Sequence, residues 1–255
     1  MTSPLVLAEA RGGVIVITIN RPVAHNAIDR ATSVAIAEAI DRLDADSSLS
    51  VGILTGAGGH FCSGMDLKAF LRGERVELEG RGLAGLVEKP PRKPLIAAVE
   101  GYALAGGFEI ALACDLIVAA DNAQFGIPEV RRGLIAGSGG LLRLPLKMPR
   151  QIAMEYALTG RMMSAADALR WGLVNRVSEP GGALAGAHAL AAEIAANGPI
   201  AVAMTKQVID DAPSWPTAEV WPRQKQILER VIASNDAREG ALAFAEKRKP
   251  VWSGS

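Results

Sequence analysis

Hydrophobic and polar positions follow two different periods in the N-terminal part of the chain. Apolar residues alternate through residues 5–7 and 14–19, and Gly12 and Gly13 lie between the two stretches, which predicts a β-hairpin. Residues 31–43 repeat their apolar positions at helical spacing, with Asp29 as a predicted N-cap. The inner face of this helix is predicted to consist of Val34, Ile36, Ala39, Ile40 and Leu43.

Three short apolar runs, at residues 51–55, 95–99 and 116–120, are typical of buried strands. Helical patterns lie among these runs and after them, and strands that alternate with helices indicate an α/β fold. Residues 72–93 are polar, contain glycine and end in a proline-rich stretch. We expect this segment to form a helix and a loop over the surface.

From about residue 148 onward the pattern is mostly helical. Helices are predicted at residues 183–196, 200–210, 217–234 and 236–247. The composition shifts near Asn197, Gly198 and Pro199. We therefore expect an α/β core with the active site over residues 1–196 and a helical oligomerisation region over residues 197–255.

Composition narrows the class of protein. The chain has 255 residues, of which 49% are hydrophobic, enough to bury a substantial core. Its 27 basic residues balance its 27 acidic ones, so no basic excess indicates binding to nucleic acid or to a membrane surface. No apolar stretch is long enough for a membrane span, and residues 1–10 lack the pattern of a signal peptide. The two cysteines, Cys62 and Cys114, have no metal-ligand spacing, and a cytoplasmic location is expected.

Two segments share one plan: a strand, a glycine-rich turn and then a helix. They cover residues 51–68 and 95–114. Each places backbone N–H groups at a helix N-terminus, where they lack intrahelical partners and favour negative charge. Neither segment matches a phosphate-binding P-loop or a dinucleotide-binding fingerprint. A tight connection from strand to helix explains them as well as an anion-binding role does.

Two glutamates stand beside rigid segments. Glu109 falls one turn into the helix that Gly106 and Gly107 open, where a carboxylate also stabilises the helix dipole. Glu129 follows Pro128, which fixes its own backbone and restricts the preceding residue. Each glutamate also has an ordinary structural explanation. Glu109 can be a surface residue that stabilises the helix dipole, and Glu129 can be a solvated loop residue. His25, His60 and Cys62 show no arrangement of a catalytic triad, and Cys62 is interpreted as a small packed residue.

Taken together, five motifs carry a resemblance to one family. They are Asn20-Arg21-Pro22 with Asn26-Ala27, residues 61–68 (FCSGMDLK), residues 101–115 (GYALAGGFEIALACD), residues 125–129 (FGIPE), and residues 158–161 (LTGR) with 172–174 (GLV). In this order and spacing the chain resembles the enoyl-CoA hydratase/isomerase (crotonase) superfamily over nearly its whole length. The resemblance implies a crotonase-like spiral of ββα units with a C-terminal helical region that packs in a trimer, often as a dimer of trimers.

The resemblance also implies roles for individual residues. The backbone N–H groups of Met65 and Gly106 would hold the thioester carbonyl oxygen, and Glu109 and Glu129 would act as general acid and base. Which glutamate takes which role stays open. Contacts with coenzyme A or substrate are implied for Ala24, His25, Ser63, Asp66, Leu67, Lys68, Phe244 and Lys247, the last two reaching a neighbouring subunit.

The implied activity is reversible addition of water to a trans-2-enoyl-CoA. No metal or redox cofactor is expected, because the thioester of the substrate serves as the electron sink. Alternatives are double-bond isomerisation, dehydration of a carnitinyl-CoA-like substrate, or a silent acyl-CoA-binding protein. The sequence departs from the family pattern at Met65, which is bulky, at Ala136, and at Leu141-Leu142. These departures leave the acyl chain open.

Overall fold

The structure is a computed structural model that describes residues 3–255. The strands are β1 (Val6–Arg11), β2 (Val14–Ile19), β3 (Val51–Gly56), β4 (Leu95–Val99), β5 (Tyr102–Leu104), β6 (Leu116–Ala120), β7 (Gln124–Gly126), β8 (Met163–Ser164) and β9 (Arg176–Ser178). The helices are α1 (Arg30–Ala45), α2 (Leu67–Leu71), α3 (Gly106–Ala113), α4 (Gly140–Lys147), α5 (Arg150–Thr159), α6 (Ala165–Arg170), α7 (Ala183–Ala195), α8 (Pro199–Asp211), α9 (Val220–Ile232) and α10 (Asn235–Glu246).

From β4 onward the chain passes back and forth between two sheets. The larger sheet has the order β1-β2-β3-β4-β6-β9, antiparallel between β1 and β2 and parallel thereafter. The smaller sheet has the order β5-β7-β8, and an isolated bridge from Cys62 to Ala103 extends it. Strand β4 lies in the large sheet and the next strand, β5, in the small sheet. The same step occurs again from β6 to β7. This is the predicted spiral, and the α/β class is confirmed.

Strand register gives each face of the large sheet its own core. Ile17, Leu54, Ala97 and Ile117 lie side by side on neighbouring strands and form part of the main core. The alternate residues, such as Ile53 and Ile96, pack on the other face against alanines of α7. Because both faces are covered, the central strands contain continuous apolar runs without polar alternation.

The predictions for the hairpin and for α1 are confirmed, with one exception on α1. Gly12 and Gly13 have φ values of +58° and +80°, as a two-residue hairpin turn requires. Asp29 caps α1, and its side chain accepts a hydrogen bond from Thr32 N at 2.8 Å. Val34, assigned to the inner face, is 39% exposed, because helical spacing puts it on the same face as the exposed Glu38 and Asp41.

The prediction of a surface helix and loop for residues 72–93 is wrong. The described segment contains one short 3₁₀ turn, Leu83–Gly85, and no α-helix. Val76 and the residues from Leu83 to Val87 are buried. Gly85 lies so close to α1 that a Cβ there would stand 2.6 Å from Ala37 Cβ. Val76 and residues 82–87 are therefore packed into the core as irregular chain, whereas residues 88–90 stay exposed.

The C-terminal region is helical, as predicted. Its α8 docks onto the core where Lys206 pairs with Asp115, and Trp252 Nε1 donates to Ala196 O at 2.8 Å. The division at residue 196 stays a prediction. None of the helices within residues 3–255 has both the length and the apolar character needed to cross a bilayer.

Asp29→Ala is expected to lower the free energy of unfolding by about 1 kcal/mol, because the first turn of α1 loses its acceptor. Asp29→Asn keeps a side-chain oxygen for Thr32 N and should lose less. The midpoint of urea denaturation, followed by circular dichroism, measures both changes. An unchanged midpoint in Asp29→Ala would contradict the importance of this cap.

Candidate active site

Two backbone segments, 62–65 and 104–107, touch each other at the edge of the small sheet. Leu104 N donates to Cys62 O at 3.0 Å. A Cβ on Gly64 would stand 3.0 Å from Gly106 N, and one on Gly107 would collide with Cys62 O. Since these neighbours are backbone atoms that cannot move aside, glycine is required at both positions.

Two N–H groups are left unpaired where these segments meet. Neither Met65 N nor Gly106 N donates to a protein acceptor within residues 3–255. Met65 N lies 3.5 Å from the point at which a Cβ on Gly106 would stand. Ala105, which precedes Gly106, has φ +51° and ψ −130°, a strained conformation for a residue with a Cβ. Two unpaired donors thus lie close together, and one of them follows a residue with a strained backbone.

Glu109 is held in a cradle of N–H groups. It lies in the first turn of α3 and is 2% exposed. Its Oε1 accepts hydrogen bonds from Ser138 N at 2.7 Å and Gly140 N at 2.8 Å. A Cβ on Gly140 would stand 2.9 Å from Glu109 Cγ, so glycine allows the start of α4 to approach the carboxylate.

Glu129 lies in the 3₁₀ segment Pro128–Arg132, in a different environment. Its Oε2 is buried and has no hydrogen-bond partner among the described residues. A buried polar atom without a partner is costly in a folded protein and marks a site of function or strain. This oxygen is therefore free to meet a ligand.

Burial raises the pKa of both carboxyl groups. For Glu109, the N–H groups of Gly140 and Ser138 and the positive charge of Arg143 oppose the effect of burial. For Glu129, the negative charge of Glu109 adds to the effect of burial, while its own backbone N–H opposes it. Two interacting carboxylates, one of which has an oxygen without a donor, favour a state with a single negative charge.

A cavity of about 1370 Å³ joins these groups. Its wall includes most of the residues that the sequence assigned to the site: Ala24, His25, Ser63, Met65, Asp66, Leu67, Lys68, Gly106, Glu109 and Glu129. Phe244 and Lys247 are not on this wall, and Phe244 is 87% exposed on α10. Their predicted contact concerns a neighbouring subunit and stays a prediction.

The Asn20-Arg21-Pro22 and Asn26-Ala27 motif holds the wall together. Asn26 is fully buried, and its Nδ2 donates to Ala57 O at 2.8 Å and to His60 O at 2.7 Å. Its Oδ1 accepts from Arg21 N at 2.9 Å. One amide therefore joins the N-terminal loop to the first glycine-rich loop.

The carboxylate of Asp66 is already engaged by protein groups. Its Oδ2 pairs with Arg21 at 2.9 Å, and its Oδ1 caps α2 by accepting from Lys68 N at 2.9 Å. Burial alone would raise the pKa of Asp66, but the Arg21 guanidinium and the N–H groups of α2 outweigh burial and lower it. Asp66 therefore stays ionised and fixes the loop that carries Met65.

The other candidates have structural explanations. Cys62 is buried, which raises the pKa of its thiol to about 12, so it is no nucleophile. The Cys62 Sγ instead accepts Gly64 N at 3.3 Å. The ring of His60 stacks on Tyr102 with centroids 4.7 Å apart and meets His25 edge-on at 4.9 Å.

Sequence reasoning did not identify the cradle of Glu109. Residues 137–140 (GSGG) form a third glycine-rich turn before a helix, which repeats the last two parts of the plan without the strand. That partial repeat was the available signal. The pairing of Ser138 and Gly140 with Glu109 is visible only in the folded chain, because it joins residues 29 and 31 positions apart.

Comparison with known proteins shows the family. The family model for enoyl-CoA hydratase/isomerase matches residues 9–255. A carnitinyl-CoA dehydratase of Proteus mirabilis is 45% identical over 252 residues, 96% of either chain. The crystal structure of an enoyl-CoA hydratase from Mycobacterium marinum superposes with a TM-score of 0.98 at 61% identity, covering 99% of this chain and 100% of that one.

A carnitinyl-CoA hydratase from Mycobacterium avium superposes with a TM-score of 0.80 at 44% identity, covering both chains completely. Hydratases and dehydratases of acyl-CoA thioesters therefore both resemble this chain over its full length. The order of the motifs, the spiral fold and these comparisons agree. The chain belongs to the enoyl-CoA hydratase/isomerase family, within the crotonase superfamily.

Proposed function

We propose that the protein adds water reversibly to the α,β double bond of a trans-2-enoyl-CoA. The observation that carries this proposal is the asymmetric pair of buried carboxyl groups. Glu109 Oε1 accepts two backbone N–H bonds, whereas the buried Glu129 Oε2 has no partner within residues 3–255. Hydration needs a base for water and an acid for carbon, and this pair offers both.

The converging donors of Met65 and Gly106 would bind the thioester carbonyl oxygen. As water attacks the β-carbon, electrons move onto that oxygen and an enolate forms. Fixed N–H groups aimed at the developing charge stabilise the transition state, typically by about 10²–10³ in rate for one donor. The thioester is the electron sink, so the proposed reaction requires no metal or redox cofactor.

Glu109 is assigned as the base and Glu129 as the acid in the hydration direction. Two N–H donors favour the ionised form of Glu109, which takes a proton from the attacking water. Glu129 lacks such donors at Oε2 and faces a negative charge, so it holds the proton that passes to the α-carbon. Dehydration reverses both transfers. Each group contributes roughly 10²–10⁴ in rate.

Coenzyme A is proposed to lie along the cavity wall that Ala24, His25, Ser63, Asp66, Leu67 and Lys68 provide. Lys68 and His25 are exposed there and bring donors to the phosphate-bearing part of the substrate. Phe244 and Lys247 would reach the site of a neighbouring copy in a trimer or a dimer of trimers.

A second candidate is dehydration of carnitinyl-CoA, favoured by the name of the 45%-identical relative. The same two carboxyl groups would serve that reaction. Its acyl group carries a quaternary ammonium, which proteins bind with aromatic faces. No Trp or Tyr lines the cavity among the described residues, and Phe70 on the wall is 56% exposed. An uncharged acyl chain therefore fits better. Isomerisation and silent binding leave one or both carboxyl groups without a role.

Purified protein is expected to hydrate crotonyl-CoA, seen as loss of the ultraviolet absorbance of the conjugated thioester. With carnitinyl-CoA the same absorbance should rise much more slowly at equal concentration, because no aromatic cage holds the ammonium. Faster turnover of carnitinyl-CoA would make the second candidate correct. No change with either compound would contradict hydratase chemistry on short acyl chains.

Glu109→Gln and Glu129→Gln are each expected to lower kcat by about 10²–10⁴, because each removes one proton-transferring group. Glu193→Gln, which replaces an exposed partner of Arg176, is the matched control and should retain full activity. Circular dichroism checks that all variants fold. Full activity in either active-site variant would disprove the paired mechanism.

Glu129→Gln is also expected to raise the free energy of unfolding at neutral pH. The folded-state pKa of Glu129 is raised, so its contribution to stability is present below the unfolded pKa of about 4.3 and is lost as the pH rises through the folded value. The amide avoids that loss. Urea denaturation at several pH values should show a gain that grows with pH, and a gain independent of pH would contradict this account.

A further inference from the structure

Arg143 is a partly buried cation on α4 that the proposed mechanism does not use. Its Nη2 donates to the carbonyl oxygen of Val87 rather than to a carboxylate. No acidic group lies within ion-pair distance of it in residues 3–255. Partial burial of a guanidinium without a carboxylate partner costs stability, so its position calls for an explanation.

Arg143 and Glu109 hold the same turn from two sides. Glu109 Oε1 accepts Ser138 N and Gly140 N. The guanidinium lies against Gly139, the residue between these two donors, where a Cβ would collide with Nη1. Gly139 has φ +96°, which glycine adopts without strain. The cation is therefore packed behind the cradle of the carboxylate.

The charges around this turn favour an anion at Glu109. The carboxylate accepts a hydrogen bond from the first N–H of α4, where the helix dipole is positive, and Arg143 follows one turn later. Other titratable groups lie around Glu109 and Arg143. They are Glu129 and Arg132 on the 3₁₀ segment, Cys114 and Asp115 after α3, and Lys147 on α4. Of these, Glu129 opposes a negative charge on Glu109.

We propose that Arg143 is a positioning residue that packs against the turn of residues 138–140 around Glu109 and supplies the positive charge that keeps this carboxylate ionised. It acts from outside the substrate cavity, since the cavity wall does not include it within residues 3–255. Its tether to Val87 also joins α4 to the buried segment around Leu83, which lines the cavity beside Gly106.

Two variants test the charge. Arg143→Gln removes it and, because Gln is shorter than Arg, also weakens the hydrogen bond to Val87 O, whereas Arg143→Lys keeps the charge. Lys147→Gln removes another partly buried cation from α4, one that interacts with Cys114 and Asp115 rather than Glu109, and is the matched control. The role of Glu109 as base rests on the proposed function, so one readout is kinetic and one is independent of substrate.

In the kinetic readout, the acid limb of kcat/KM for crotonyl-CoA is expected to move to higher pH in Arg143→Gln, because the Arg143 charge lowers the pKa of Glu109. It should stay in place in Arg143→Lys and Lys147→Gln, and KM should change less than kcat. A limb that stays in place in Arg143→Gln, with kcat lowered equally at every pH, would show a purely structural role and overturn the proposal.

In the substrate-free readout, urea denaturation is measured for wild type, Arg143→Gln, Glu109→Gln and the double variant across pH. The two sites should be coupled above the pKa of Glu109 and uncoupled below it; coupling that is absent or independent of pH overturns the proposal. This double-mutant cycle tests the role of Arg143 without substrate. A failure to hydrate any acyl-CoA would refute the proposed function and leave the result of the cycle unaffected.

Should Arg143→Gln not fold, infrared difference spectra of wild type against Glu109→Gln and Glu129→Gln give the order in which the two carboxyl groups titrate. Glu109 must ionise first, and the reverse order overturns the proposal.

Discussion

The architecture of the site depends on the close approach of two backbones, at residues 62–65 and 104–107. Gly64 and Gly107 permit that approach because a Cβ at either position would meet backbone atoms of the other segment. The contact leaves Met65 N and Gly106 N unpaired and close together. It also fixes the start of α3, and the position of Glu109 one turn later follows from that start. Two donors and one carboxylate are thus set by a single packing constraint.

Burying two carboxyl groups near these donors is unfavourable for folding, and the structure offsets the cost unevenly. Glu109 has two N–H donors and a cation behind them, whereas the buried oxygen of Glu129 has none among the described residues. This unevenness is useful for proton transfer, because two carboxyl groups in the same environment would compete for the same proton. The polar atom that the fold leaves unsatisfied is therefore the one that substrate chemistry can use.

Sequence patterns predicted the helices and strands whose type depends on a few neighbouring residues. The hairpin, α1 with its Asp29 cap, and the apolar strands β3, β4 and β6 follow from period, turn residues and run length. The burial of Leu83 to Val87 could not be predicted in this way. These apolar residues stand among glycines and charges without a period, and they are buried by contact with α1 and α3. β5, β7, β8 and β9 are two or three residues long, too short to show a period. The glutamate pair was found through motifs, and the cradle of Glu109 needed the fold.

The departures from the family pattern do not bear equally on the substrate. Leu141 and Leu142 are 40% and 75% exposed on α4 and lie outside the cavity wall, so they bear on an outer surface of the protein. Met65 is on the wall, and its side chain stands beside the donor that its own backbone provides. The two candidate reactions proposed above would use the same two carboxyl groups, so the proposal leaves selection of the acyl group to wall residues such as Met65, Leu134 and Ile135. Under the proposed mechanism, the Met65 backbone N–H would bind the thioester oxygen while its side chain lines the acyl site, which would couple selectivity to the geometry of the reaction.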